Sequence, residues 1–179
     1  MQCLAEEGFA GTGVRAIAQR AGVSIGLIRH HFEEKNQLIA ATYRHVSDQL
    51  HTASEEAVAE ADSEPWQRLH GFLMAGFYPP LLERRYVLVR FVLWSAALTE
   101  PAIRDVHDEV RARYRVRLRE LIAEAAGHAK TDAQIVAMTG TVLALLDGMW
   151  VDWILDEPGF NPEAAVSNAV AMLRAEAWP

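Results

Sequence analysis

Four neighbouring side chains near the start of this sequence carry groups that recognise the edges of DNA base pairs. Ile25 and Leu27 could contact thymine methyl groups, and Arg29 could donate hydrogen bonds to guanine or to a phosphate. His30, the next residue along the chain, is the fourth candidate for contact with the bases. The chemistry predicted for these residues is sequence reading in the major groove. It requires a rigid element that turns all four side chains outward.

Residues 13–32 predict that element, a helix-turn-helix. Gly22 can adopt the left-handed conformation that ends a helix. Val23 is expected to fill the angle between the two helices, and Ser24 is a good N-cap for the second. A helix of about nine residues spans ~13 Å, which suits a major groove about 12 Å wide. An ordinary helical hairpin, in which a glycine turn is also common, is the alternative interpretation.

Spacing also predicts the inward faces of these two helices. Ile17 and Ala21 are four residues apart in the first helix, as are Ile28 and Phe32 in the second. Residues four apart lie on the same face of a helix, so each pair is expected to pack inward. His31 then faces outward with the four candidate base-reading residues.

A fuller pattern of residues runs through the same segment. It consists of Gly8, Phe9, Thr12, Val14, Arg15, Ile17, Ala18, Ala21, Gly22, Val23, Ser24, Gly26, His30, Phe32 and Lys35. With this pattern the chain closely resembles the TetR family of repressors over its N-terminal segment. Gly13 stands where the family has a Thr or Ser cap, and His31 where it has a Tyr. Because family members carry a longer first helix, we expect the natural chain to begin upstream of Met1.

The resemblance implies binding to a double-stranded DNA operator of palindromic sequence. It assigns contacts with the DNA backbone to five residues, Arg15, Gln19, Ser24, His31 and Lys35. Gly26 is counted with the DNA-binding residues as part of the family pattern. Phosphate contacts of this kind fix the register of the protein on the duplex but carry no sequence information.

A second resemblance appears late in the chain. Residues 144–150 read Ala-Leu-Leu-Asp-Gly-Met-Trp, Trp94 lies in an apolar helical segment, and a proline precedes the final helix. These features are similar to the BetI-like branch of the family, repressors of the choline-to-betaine pathway. The resemblance implies a small-molecule effector, choline or a related cation, that releases the repressor from its operator.

Aromatic side chains in the later helices could hold such a cation. Ring faces attract a quaternary ammonium group by ~2 kcal/mol or more when desolvated, and a carboxylate could neutralise its charge. The predicted ligand-binding residues are Phe77, Tyr78, Phe91, Trp94, Asp147 and Trp150. A plain aromatic core is the alternative for these side chains. A neutral hydrophobic ligand, or control of an efflux gene, is the alternative function.

Helical periodicity recurs through the sequence, whereas no strand pattern stands out. Beyond the N-terminal segment, helices are predicted over residues 36–61, from 63 to the prolines at 79–80, and over 82–98, 101–126, 132–155 and 162–177. The predicted fold is all-α, with about nine helices. A three-helix helix-turn-helix domain over residues 1–46 precedes a helical ligand-binding and dimerisation domain over residues 47–179.

The predicted helix over residues 132–155 is apolar nearly all round and must be covered on two sides. One side can face its own core and the other a second copy, with Gly140 and Gly148 allowing close approach. We expect a two-fold homodimer in which this helix and the final helix form a four-helix packing. The predicted interface residues are Val142, Leu145, Met149, Trp153, Val166, Val170 and Leu173. The two helix-turn-helix domains of the dimer, called the heads below, would then bind DNA half-sites roughly 34 Å apart, or a multiple of that distance.

Composition is compatible with these predictions. The 179 residues are 51% hydrophobic and include one cysteine, so a folded domain without a disulfide framework is expected. The net charge is −7, yet residues 1–50 hold five basic and five acidic side chains. DNA binding needs a local positive face rather than a positive total. Asp147 and Asp152 would be costly in lipid, so we predict no membrane partner and a cytoplasmic location.

Catalytic machinery is not predicted. The sequence has no Gly-rich phosphate loop, no nucleophile elbow and no paired carboxylates in a recognisable frame, so neither an enzyme nor a cofactor is expected. A metal site is not expected because His30 and His31 are adjacent on a helix and point about 100° apart. Two other interpretations stay open: a small helical enzyme with an incidental hairpin, and a regulator that binds a protein partner without a ligand.

Overall fold

Helices make up almost all of the computed structural model, which describes residues 1–156 and 158–175. These residues form nine α-helices and no β-strand, so the predicted all-α class is confirmed. The helices are α1 (Gln2–Gly11), α2 (Val14–Ala21), α3 (Ile25–His31), α4 (Lys35–Glu60), α5 (Pro65–Met74), α6 (Arg84–Ala97), α7 (Pro101–Ala126), α8 (Asp132–Ile154) and α9 (Pro162–Arg174). Short 3-10 turns occupy Ala75–Phe77 and Gly127–Ala129.

The starts of α8 and α9 are confirmed as predicted, because local hydrogen bonds set them. Thr131 and Gln134 form a capping box in which each side chain accepts from the other's backbone N–H, at 3.3 and 3.0 Å. Asn161 Oδ1 accepts from the Ala164 N–H at 3.1 Å. The predicted end of α9 near residue 177 lies outside the described residues, and α9 ends at Arg174.

Helix α5 differs from the prediction at both ends. Its N-cap is Glu64 rather than Ser63, because the Glu64 carboxylate accepts from the Gln67 N–H at 2.9 Å and Pro65 takes the first helical turn. The α-helix ends at Met74 and tightens into the 3-10 turn Ala75–Phe77, before the prolines that were expected to stop it.

The chain divides into two compact units, each built from two stretches of sequence. The first unit contains Met1–Gln49 and Leu82–Arg111, and the second contains Leu50–Leu81 and the described residues from Ala112 onward. Helices α4 and α7 therefore contribute a part to each unit. The predicted boundary between a DNA-binding domain (residues 1–46) and a ligand-binding domain (residues 47–179) divides the chain by function rather than by compactness, and it stays a prediction.

Within the first unit, α6 packs extensively against α1. The hydroxyl of Tyr86 on α6 lies 2.9 Å from the carbonyl oxygen of Val46 and 2.6 Å from Gln49 Oε1 on α4. Burial raises the pKa of Tyr86 to about 12, so the neutral, proton-donating form holds these contacts. Helix α6 is thereby joined to both α1 and α4.

The second unit is built on α5, α8 and α9, with the C-terminal parts of α4 and α7. Helix α9 packs against α5 and α8, and Arg117 of α7 binds both carboxylate oxygens of Glu55 on α4 at 2.8 and 3.0 Å. Helix α8 is long and apolar enough to cross a membrane, but 44% of its most apolar stretch is buried within the protein. One helix of this length and composition is weak evidence for a membrane span, because a core helix passes the same test.

Candidate functional site

The turn between α2 and α3 has the predicted geometry. Gly22 adopts φ 67° and ψ 26°, the left-handed conformation. The N–H groups of Gly22 and Val23 donate to the carbonyls of Gln19 and Ala18, the pattern of a Schellman motif. Ser24 Oγ accepts from the Leu27 N–H at 3.0 Å and caps α3. A side chain at position 22 would be strained, so the turn depends on its glycine.

The inward faces of this hairpin are only partly as predicted. Ile28 is 8% exposed and Phe32 is half-buried, but in α2 the buried residue is Ala18, while Ala21 is exposed. Ala21 ends α2 and lies beyond the contact, whereas Ala18 sits one turn earlier. Val23 is 37% exposed, so the expectation that it fills the interhelical angle is wrong.

The outward face of α3 contains most of the candidate base-reading side chains. Leu27 is 47% exposed, Arg29 and His30 are exposed, and Ile25 is half-buried. Gly26 and His31 are exposed as well, and the rings of His30 and His31 lie 5.2 Å apart in an edge-on arrangement. The geometry thus presents apolar, cationic and imidazole groups on one short helix.

The basic residues of the first 50 positions differ in whether they already form an ion pair within the protein. Arg20 binds Glu6 at 2.7 Å, and Arg44 binds Glu109 at 2.9 Å. A hydrogen bond from Gln2, with the contribution of Arg20, lowers the pKa of Glu6 and keeps it ionised. In the part of the chain that the structure describes, neither Arg15 nor Arg29 forms an ion pair, and both are exposed. These two arginines are the cations most available to phosphate.

Lys35 has a role within the fold that the sequence did not indicate. Its Nζ donates to the carbonyl oxygen of Phe9 at 2.7 Å and lies 4.3 Å from the centre of the Phe9 ring. The side chain therefore connects the start of α4 to α1 and is half-buried. Of the residues implied to contact the DNA backbone, Arg15, Gln19, Ser24 and His31 are exposed and Lys35 is half-buried. Ser24 and Lys35 already form hydrogen bonds within the fold.

An aromatic stack lies inside the second unit. The rings of Phe77 and Trp150 are 4.6 Å apart and nearly parallel, and both side chains are buried. Gly76 makes this possible, because a Cβ there would lie 2.7 Å from the Trp150 ring and 3.2 Å from Leu50 Cδ1. Asp147, one turn before Trp150 on α8, is half-buried.

The other predicted ligand-binding residues are placed differently. Tyr78 follows Phe77 but is 54% exposed, and partial desolvation together with Glu163 raises the pKa of its hydroxyl. Phe91 and Trp94 belong to the first unit, where their rings meet edge-on at 5.3 Å and both are half-buried. The predicted set thus forms two aromatic pairs, one in each compact unit.

Two polar atoms that sequence reasoning missed are buried in the second unit. Ser54 is 0% exposed, and among the residues that the structure describes neither its Oγ nor the buried Nδ1 atom of His51 has a hydrogen-bond partner. Both residues lie on α4. The sequence predicted that both residues lie on a helix, but it did not predict that their polar atoms would be buried on the packed face of α4.

Family models match both ends of the chain. Residues 1–42 match the model for bacterial regulatory proteins of the tetR family, and residues 65–177 match the C-terminal domain of BetI-type transcriptional repressors. A regulator named HTH-type transcriptional regulator BetI, from Burkholderia thailandensis, is 31% identical over 94% of this chain and 85% of its own. One of the same name from Paraburkholderia phymatum is 30% identical over 92% and 82%.

The chain belongs to the TetR family of transcriptional regulators.

Solved structures agree with this assignment. A transcriptional regulator of Pseudomonas aeruginosa PAO1 aligns with a TM-score of 0.86 at 32% identity, over 94% of this chain and 82% of that one. A regulator of Saccharomonospora viridis, solved in complex with choline, aligns with a TM-score of 0.80 over 96% and 90%. At 18% identity the second likeness shows the fold alone. As a TetR-family regulator the protein is not an enzyme, so the incidental-hairpin interpretation is set aside.

The predicted dimer residues of this TetR protein divide into two groups. Most of them are buried in the chain's own core: Val142, Met149, Val166, Val170 and Leu173. Leu145 is 39% exposed and Trp153 is half-buried. Between Ala133 and Gly148 the exposed residues of α8 form a strip of uncharged, mostly small side chains: Ala133, Val136, Ala137, Thr141, Ala144, Leu145 and Gly148. The exposed carboxylates Asp132 and Asp152 lie beyond the two ends of this strip.

Proposed function

We propose that this TetR regulator is a homodimeric repressor that binds a palindromic operator and is released by a small cationic effector. The observation that carries the DNA-binding part is the outward face of α3, where Leu27 and Arg29 stand exposed on a helix capped at both ends. Seven helical residues span about 10 Å, short enough to lie within a major groove. A repressor that binds an operator works where the cell's DNA lies, so a cytoplasmic location is part of the proposal.

In this proposal the residues of the hairpin divide by role. Leu27, Arg29 and His30 face the base edges because they are exposed on α3, and the half-buried Ile25 at the start of the helix is assigned to the same role. Backbone contacts come from Arg15, Gln19, Ser24, Gly26, His31 and Lys35. The available charge of Arg15 and Arg29 supports phosphate binding despite the net charge of −7.

Operator binding is expected to be specific and strongly dependent on salt. Fluorescence anisotropy with DNA from the protein's own upstream region measures it directly. If the dimer makes about six phosphate contacts, affinity falls ~10³-fold or more between 50 and 200 mM salt. A scrambled duplex of equal length is the control. Equal affinity for both duplexes at every salt concentration contradicts sequence-specific recognition by α3.

The dimer follows from the uncharged strip on α8. A surface strip of this kind is typical of a face that packs against another helix, and its small residues permit close approach. Apart from the nearby backbone of α8 itself, no heavy atom of the described residues lies within 4 Å of the position that a Cβ would take at Gly140 or Gly148, so both glycines have open space beside them. A second copy of α8 and α9 would fill that space and complete a four-helix packing.

The effector site is proposed at the Phe77–Trp150 stack of the second unit, and the Phe91–Trp94 pair of the first unit is a separate candidate. Stacked ring faces with Asp147 nearby suit a quaternary ammonium cation such as choline. The resemblance to BetI-type repressors supports the same class of ligand. The effector releases DNA only if it binds the released conformation more tightly than the operator-bound one.

Choline is expected to raise the melting temperature of the protein, whereas its neutral isostere 3,3-dimethyl-1-butanol is expected to give a much smaller shift. The two molecules share a shape and differ in charge, so the comparison isolates the cationic contribution. Asp147→Asn should weaken choline binding by about tenfold while leaving the alcohol unaffected. Equal shifts with both probes favour a neutral hydrophobic effector instead.

The packing of α6 suggests how a ligand signal reaches the DNA. Helix α6, which carries Phe91 and Trp94, packs on α1 and is bonded to α4 through Tyr86. Lys35 in turn connects α4 to α1 at Phe9. If α6 is displaced, the N-terminal helices are therefore expected to move with it as one body. In a dimer this movement would change the separation of the two heads.

A further inference from the structure

Ser54 is an exception among the buried hydroxyl groups of this protein. The buried hydroxyls of Thr12 and Thr139 donate to the carbonyl oxygens four residues earlier, at 2.6 and 2.7 Å. This local bond is the usual way in which a helical hydroxyl is satisfied. Ser54 also lies within a helix and is 0% exposed, yet its Oγ makes neither this bond nor another.

A second unsatisfied atom lies beside it. His51 is three residues before Ser54, so both side chains lie on neighbouring positions of one face of α4. The Nδ1 atom of His51 is buried and has no hydrogen-bond partner. An unsatisfied buried polar group costs ~1–3 kcal/mol, and two such groups together need an explanation.

The position of this pair relates it to the aromatic stack. Leu50, one turn before Ser54, lies on the same face of α4 and approaches Gly76. The Trp150 ring approaches the same glycine, and Phe77 stacks on that ring. The face of α4 with the two unsatisfied atoms therefore continues, within the second unit, the surface that the stack begins.

We propose that His51 Nδ1 and Ser54 Oγ bind a hydroxyl group of the effector, whose other end contacts the Phe77–Trp150 stack. A hydroxyl both donates and accepts, as does Ser54, and the imidazole nitrogen can take either role according to its tautomer. One ligand hydroxyl can satisfy both protein atoms at once. This assignment rests on the proposed effector site, and it specifies a small hydroxyl-bearing molecule rather than any cation.

The test compares three probes on the full-length protein. Choline carries the cation and the hydroxyl, ethyltrimethylammonium carries the cation alone, and 3,3-dimethyl-1-butanol carries the hydroxyl alone. Calorimetric titration should show choline binding about tenfold more tightly than ethyltrimethylammonium, which corresponds to one hydrogen bond. In Ser54→Ala this preference should disappear, because the affinity for choline falls to that for ethyltrimethylammonium.

Thr139→Val is the matched control. It removes a buried hydroxyl from the same unit, but one that is already bonded within its own helix. It should leave the preference for choline unchanged. The unliganded Ser54→Ala protein should unfold at the same temperature as the parent or at a higher one, because a hydroxyl without a partner contributes nothing to the fold. A lower unfolding temperature overturns the proposal, since Ser54 would then be bonded in the free protein.

The outcomes separate this proposal from the cationic effector. If the parent binds the neutral alcohol but neither cation, and Ser54→Ala loses that binding, the hydroxyl site stands and the cationic effector is wrong. If both cations bind with equal affinity in the parent protein, the hydroxyl site is wrong and the cation site stands. If none of the three probes binds, both proposals are contradicted.

Discussion

Gly148→Glu is expected to convert the protein from a dimer to a monomer. The glutamate would project from the uncharged strip of α8, and its carboxylate would be buried without a partner in the proposed interface. An unpaired buried charge costs several kcal/mol, and a two-fold dimer contains the substitution twice. We expect dimerisation to weaken by at least about 100-fold. The mass in solution should fall to the 19.9 kDa of one chain.

The fold of the single chain should survive this substitution. A Cβ at Gly148 meets no heavy atom within 4 Å, and replacing a helical glycine favours the helix by up to ~1 kcal/mol. Val116→Glu is the control, because it adds the same charge at a 57% exposed position on α7. It should remain dimeric.

Operator binding by Gly148→Glu should weaken with the dimer. In a dimer, once one head has bound its half-site, the other meets the second half-site at an effective concentration near the millimolar range. A monomer lacks this advantage. Analytical ultracentrifugation and anisotropy on the same samples measure both losses. A Gly148→Glu protein that stays dimeric at micromolar concentration places the interface elsewhere.

Arg29→Ala is expected to reduce operator affinity by roughly 30-fold or more. Each good arginine contact to a base or phosphate is worth ~1–3 kcal/mol, and a dimer loses two of them. The side chain is exposed and forms no ion pair among the described residues, so its removal should leave the melting temperature nearly unchanged. Anisotropy titrations of the parent and the variant, carried out at several salt concentrations, give the result.

The salt dependence of Arg29→Ala identifies what the arginine binds. Loss of a phosphate contact lowers the slope of log affinity against log salt by about one per site. Loss of a guanine contact instead reduces the preference for the operator over scrambled DNA. Arg104→Ala removes an equal charge from an exposed position on α7 and serves as the control. An Arg29→Ala protein that binds as well as the parent contradicts the assignment of this side chain.

Features that depend on a few adjacent residues could be predicted from the sequence. The turn at Gly22, the cap at Ser24, the capping box of Thr131 and Gln134, and the cap at Asn161 were all predicted and are present. Each is a hydrogen bond or backbone conformation confined to four or five consecutive residues. The family followed from the same local pattern in the N-terminal segment.

Features that depend on which helices meet could not be predicted in the same way. Periodicity placed Ile17 and Ala21 on one face, but the packing buried Ala18 and left Ala21 exposed. It did not predict that Lys35 would bond to the carbonyl of Phe9, 26 residues earlier. Likewise, the sequence offered Val166 and Leu173 for a dimer, whereas the fold uses both in its own core.

The sequence by itself therefore determined the helices, the caps of α3, α8 and α9, the hairpin and the family of this regulator, but not the ends of α5. Only the tertiary structure decided which apolar side chains remain on the surface of α8, which aromatic rings form pairs, and that Ser54 is buried without a partner. The physical reason is the distance along the chain between the residues that interact. Caps and turns are settled by hydrogen bonds within one helical turn, whereas burial depends on contacts between residues far apart in the chain.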